Sequence, residues 1–248
     1  MNSNKLMWVV VAFCITATLA IVFDVADVRS QEKSNISPKE TSPIANPDLS
    51  KYGVADYEGV VSLNAIELEQ RKQLNARYDN QEWVMKNVHP ETGKVGRYTE
   101  STPPPLIPVQ ESDVVIIGRV VSVEAHLSND KSGIYSQYTI KVDQSLKNTL
   151  GKKLERGVLI QIDRAGGVVR YPNGQCVLYL ESDKGLPDVG REYAFFLKSE
   201  NKGESLAIVS LYELQNNQTV PLDSGHPADD IKRLGRSSFI EKIRAKLS

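Results

Sequence analysis

Proline is spread very unevenly along these 248 residues: eight of the 12 copies precede Val109, and between Val109 and Val220 only Pro172 and Pro187 occur. Proline has no amide hydrogen to give to a sheet ladder and is confined to edges, bulges and turns. A long proline-poor stretch cut by glycine-containing turns (YPNG, LPDVG) therefore predicts a β domain. The strands expected are 113–125, 134–142, 157–163, 168–171, 176–180, 192–198, 205–214 and 219–222. Several alternate with period two: Ile134, Tyr138, Ile140 and Val142 share one face, and Val158, Ile160 and Ile162 share another. The first strand is about twice the usual ~5–6 residues. Gly118 inside it suits a bulge, the device by which one long strand serves both halves of a small closed barrel.

Helices are expected on either side of this domain. Residues 62–86 lack Gly and Pro and place Leu63, Ile66, Leu74 and Tyr78 at rough helical spacing, predicting a helix over 63–78. Ser62 is its expected cap, and Glu67 stands four residues before Arg71 as an ion pair. Residues 89–98 read as loop, and STPPPLIPV at 101–109 reads as a stiff polyproline connector. After the strands, Pro227 opens a short turn, and Ser238 with Glu241 forms a capping-box pattern for a helix over 239–247. Ile240, Ile243 and Leu247 are its expected buried side.

The N-terminus decides the compartment. Residues 6–23 are 18 uncharged, mostly apolar residues, with Lys5 before them and Asp24 and Asp27 after. That length suffices for a membrane helix, whereas a secretory signal has an apolar region of only about 7–15 residues. The expectation is an uncleaved signal-anchor with the C-terminal bulk outside the cytoplasm, the alternative being secretion after signal cleavage. Cys14 follows the bulky Phe13, which argues against a lipoprotein site. Residues 29–50 hold three prolines and few apolar residues, the composition of a flexible stalk. The organisation read from the chain is a signal-anchor or signal peptide at 1–28, a stalk at 29–61, and a helix plus Pro-rich connector at 62–111. A β-barrel domain at 112–222 and a helical tail at 223–248 follow.

SDVVIIGRVVSVEA at 112–125, YTIKVDQSLKN at 138–148, DRAGGVV at 163–169 and DVGREYAFFL at 188–197 carry a resemblance. Together they resemble uncharacterised bacterial exported or membrane-anchored proteins with an OB-like or netrin-like barrel. The resemblance implies a mainly β fold, a small closed or partly open antiparallel barrel, in a bacterial envelope. Netrin-like inhibitors of metalloproteinases work through an N-terminal cysteine, which the start of this domain lacks.

Chemistry-bearing motifs are sparse. His89, His126 and His226 are isolated from one another and Cys176 has no second thiol nearby, so neither a metal nor a cofactor is expected. Ser128 to Lys131 and Ser199 to Lys202 match S-x-x-K only in polar loops, and GESLA at 203–207 lacks the second glycine of a nucleophile elbow. Gly166 and Gly167 read as a hairpin-like turn without the lysine of a phosphate loop. Tyr135, Tyr138, Tyr171 and Tyr179 with Arg119, Arg164 and Arg170 could stack and pair with a single strand. However, 30 Lys+Arg balance 31 Asp+Glu, which argues against nucleic acid. The polar excursions 126–135 and 164–175 are the expected contact loops, with Arg164, Arg170, His126, Asp130 and Lys131 as contact residues.

The resulting expectation is a membrane-tethered extracytoplasmic binding module facing an envelope protein or polysaccharide, with residues 6–23 in the membrane and without a recognisable catalytic site. The competing readings are an envelope hydrolase using Asp113, Asp143 and Asp163, and an assembly factor acting through helix 63–78.

Overall fold

Alternating apolar residues drive two sheets together in the computed structural model, which describes residues 49, 51–59, 63–81, 83, 94–97, 105–181, 183–200, 205–223 and 229–248. All of these belong to one unit, Pro43–Ser248. The elements are β1 (Val54–Asp56), α1 (Ala65–Ala76), β2 (Lys94–Arg97), β3 (Val114–Leu127), β4 (Ile134–Asn148), β5 (Leu159–Ala165) and β6 (Gly167–Arg170). They continue with β7 (Cys176–Glu181), β8 (Glu192–Glu200), β9 (Ser205–Leu214), β10 (Thr219–Pro221), α2 (Asp229–Lys232) and α3 (Arg236–Ala245). The protein is mainly β.

The larger sheet runs β10-β9-β5-β4-β3-β8, and β8 pairs back onto β9. Its ladders are antiparallel except for one parallel contact between Asp163 and Ala207 that joins β5 to β9. Hydrogen bonding thus passes in a partial ring through β3, β4, β5, β9 and β8. The long first strand does serve both sides: Val114–Arg119 pairs with β8 while the whole strand pairs with β4. Register shifts between Ile117 and Gly118 and at two further points let it coil. At Gly118 a Cβ would stand 2.7 Å from Ile140 Cγ2 and 2.9 Å from the Lys141 carbonyl, so glycine is required there.

Both faces of β3 are buried at its start, which explains the unbroken VVII. Val114 and Ile116 enter the barrel interior with Tyr138, Ile140, Ile162, Phe195 and Leu211. Val115 and Ile117 face outward under Ile231, Phe239, Ile240 and Ile243 of the C-terminal helices. α3 starts a turn earlier than the capping-box pattern predicts, with Gly235 at its N-cap and Ser238 inside it. Burial of Phe239 and the pairing of Arg236 with Glu192 at 2.8 Å account for the extra turn, and Leu247 is only half-buried.

The smaller sheet, β1-β6-β7-β2, comes in part from segments that the sequence leaves as stalk and loop. β1 and β2 each pair in parallel with one strand of the β6–β7 hairpin. Its inner face, Val169, Val177 and Tyr179, packs with Trp83, Ala125 and Ile134 beside the barrel. Gly166 and Gly167 do not form the expected hairpin turn: they carry the chain from β5 in one sheet directly into β6 in the other. Gly166 has φ +112°, and a Cβ there would approach the Tyr179 carbonyl to 3.0 Å. Cys176, a free thiol, is half-buried beside Val168 and Leu178.

Among the described residues no helix is long and apolar enough to cross a membrane. The predicted anchor at 6–23 and Cys14 lie outside the described residues.

Candidate functional site

α1 exposes an unusual surface. Asn64, not Ser62, starts it: the Asn64 side chain accepts from the Ile66 and Glu67 amides while Glu67 accepts from the Asn64 amide. Glu67 is thereby used in the cap rather than in the expected pair with Arg71. No residue of the helix is buried, and Ile66, read as part of an apolar stripe, is 73% exposed. A helix that buries none of its residues gains little from apolar packing, and polar ties hold it.

Those ties form a clasp on the outer face of β4 and β5. Period-two alternation turns Tyr138, Ile140 and Ile162 into the barrel, and so turns Tyr135, Gln137, Gln161 and Asp163 outward. Arg71 donates to Tyr135 Oη and Gln137 Oε1, each at 3.2 Å, and Tyr135 donates to Asn75 Oδ1 at 2.7 Å. Just past the helix, Arg77 donates to Asp163 Oδ1 at 3.2 Å and to Ser205 Oγ at 3.1 Å, and it also meets Glu200. Tyr78 donates to Asp163 Oδ2, and its ring stacks on Tyr135 at 4.3 Å. Burial raises the Asp163 pKa against the opposing pull of Tyr78 and Arg77. Burial and the Asp163 charge push the Tyr78 phenol well above its ordinary range.

Between helix and sheet the clasp leaves a trough of about 460 Å³, lined by Gln70, Gln73 and Leu74 from α1 and by Gln137, Gln161, Asp163 and Ser205 from the barrel. Its volume lies within the ~300–1,000 Å³ usual for small-ligand sites. A second cavity of about 480 Å³ lies on the other side of Asp163, where Arg164, Lys184, Glu181 and Glu200 contribute to the wall. Each of these charges already has a partner.

The contact residues expected from the sequence are mostly occupied within the fold. Arg164 is not on a surface loop but at the end of β5, 3% exposed, with Nη2 paired to the buried Asp223. Its Nε and Nη1 have no partner, nor has the buried Tyr138 hydroxyl. Arg170 is half-exposed and meets Asp56 at 3.3 Å, tying β6 to β1. Asp130 accepts from Ser128, Ser132 and the Asn80 amide, and these bonds, Ser128 foremost, hold its pKa well below the usual carboxylate range. Lys131 donates to the Tyr57 carbonyl at 2.7 Å and lies over that ring.

His126 faces α1, and its pKa is lowered to about 4 by burial and by the Arg71 charge. Glu124 is 3.5 Å away, with its carboxylate largely in solvent, where water screens it. His126 and Lys131 border a groove of about 610 Å³ between β1, α1 and β3.

The three aspartates of the hydrolase reading have separate surroundings. Asp113 accepts from the Ser199 amide, Asp143 lies near Arg236, and only Asp163 enters the trough. Among the described residues, no cluster of three or more His, Cys, Asp or Glu could hold a metal ion. Tyr135, Tyr138, Tyr171 and Tyr179 are all buried rather than displayed as a stacking platform. Arg71 and Tyr78 enter the sequence reading only as helix residues and Arg77 not at all, so none of the three is expected at a site. No protein-family model and no curated protein matches this chain.

Proposed function

We propose that this protein is a membrane-tethered extracytoplasmic binding module, with residues 6–23 as the tether and the trough between α1 and the β4–β5 face as its binding site. The observation that carries the reading is α1 itself. A helix that buries none of its side chains is nevertheless held over one face of the barrel by a clasp at Tyr135 and Asp163, leaving a polar trough beneath. The ring order β3-β4-β5-β9-β8, with a parallel β5–β9 contact, supports an OB-like barrel as the scaffold. Binding residues on a rigid sheet beside a separately held helix suit recognition of a ligand.

The site is tested by purifying the full-length protein from envelope membranes in mild detergent, alongside Gln161→Arg and Arg170→Ala. Material retained by the wild type and by Arg170→Ala but lost from Gln161→Arg supports the trough. Equal retention by all three counts against it.

The tether makes its own prediction. Full-length protein is expected to stay with membranes through high-salt and alkaline washes, because burial of an apolar run does not depend on charge. Leu19→Asp with Ile21→Asp is expected to weaken insertion by several kcal/mol. Recovery of the native protein as a soluble species lacking residues 1–28 contradicts the anchor and establishes the cleaved signal.

A further inference from the structure

We infer that the trough takes a neutral polyhydroxyl ligand, an oligosaccharide without charged groups; this rests on the trough being the binding site. The argument is the chemistry of its wall. Four of its side chains, Gln70, Gln73, Gln137 and Gln161, are carboxamides, each with a donor NH₂ and an acceptor oxygen, and Ser205 adds a hydroxyl that does both; Gln137 Oε1 and Ser205 Oγ each already accept one arginine bond and keep a second lone pair. Such a wall matches a ligand whose groups also both donate and accept, which is the property of a hydroxyl.

Charge points the same way. Among the described residues Asp163 is the single ionisable side chain lining the trough, and Arg77 already faces its carboxylate. No lysine or arginine among the described residues lines the trough, so a phosphate or a carboxylated sugar would bring charge to a wall whose described groups offer it no free cation. A peptide fits less well. β4, which supplies Gln137, is paired on both edges, by β3 and β5. Strand addition there has no free ladder. Among the described residues Leu74 is the sole apolar lining residue, too little to anchor a hydrophobic side chain but enough for the C–H face of a sugar ring. Gln70, Gln73 and Gln161 are exposed, so the amides meet the ligand without breaking the fold.

The experiment titrates full-length protein in detergent with cellotetraose, maltotetraose, chitotetraose and tetragalacturonate, reading saturation transfer to the sugar protons. The same titrations are made with Gln73→Leu and Gln161→Leu. Both substitutions lie at exposed positions, and far-ultraviolet circular dichroism checks that each variant is folded. At least one neutral tetrasaccharide is expected to bind, with affinity at least tenfold weaker in each variant. Failure of every neutral tetrasaccharide to bind at millimolar concentration overturns the ligand class. Binding of tetragalacturonate alone also overturns it, and if that binding falls in the two variants the trough still stands as the site. Neutral sugars bound equally by wild type and variants overturn the trough itself.

Discussion

Arg164→Ala is expected to destabilise the fold by about 3–5 kcal/mol, the cost of removing one partner from a buried ion pair. The substitution leaves Asp223, a residue 8% exposed, facing the space where a guanidinium stood. Asp223 follows β10 and is bridged to Lys184, so the pair also ties the exit of the barrel sheet to the segment after β7. Urea unfolding of the variant measures the loss. The double substitution Arg164→Met with Asp223→Leu removes both charges and is expected to recover most of it, because apolar replacements of a buried pair are often neutral or better. A loss below about 1 kcal/mol for Arg164→Ala would place this arginine at the surface, as a loop residue of the kind the sequence suggests.

The second large effect is on pH. His126 titrates near 6.5 when unfolded and about 4 when folded. Between those values the unfolded chain binds a proton that the folded chain refuses, so stability falls as pH drops through this window. The difference corresponds to about 3 kcal/mol from this group, fully lost below about pH 4. Asp163 works in the opposite direction: its folded pKa is raised, so its contribution improves as pH falls through that value. Comparison with His126→Phe separates the two. Wild type should lose about 3 kcal/mol more than the variant between about pH 7.5 and pH 4 in urea unfolding. Parallel losses would mean that His126 is solvated and pairs with Glu124 after all.

Much of the larger sheet is legible in the sequence because period-two alternation is local. The eight expected strands all appear, since runs such as Ile134 to Val142 commit each residue to one face without knowledge of partners. β1 and β2 are not legible: VAD and KVGR are too short to alternate and exist only through parallel pairing with β6 and β7. The site residues fail for a related reason. Exposed polar loops suggest an external partner, yet Asp130 is held by Ser128, Ser132 and the distant Asn80 amide, and Lys131 by the Tyr57 carbonyl, far away in sequence. Arg164 carried a usable signal: Ile160 and Ile162 face the interior, so the same alternation sends Arg164 inward and Asp163 outward. Nothing in the local pattern around Arg77 and Tyr78 announces that Asp163 waits for them across the barrel surface.

The clasp that holds α1 over the β4–β5 face is the claim on which the rest depends, and hydrogen exchange of the full-length protein measures it most directly. Arg77→Ala combined with Tyr78→Phe removes the helix-side donors to Asp163 while keeping an aromatic ring against Tyr135. The amides of Ala65–Ala76 are expected to exchange at least about tenfold faster in this variant, with β3 and β4 unchanged. Exchange of α1 at the same rate in both proteins would mean that Arg77 and Tyr78 do not hold the helix and would contradict the Asp163 half of the clasp.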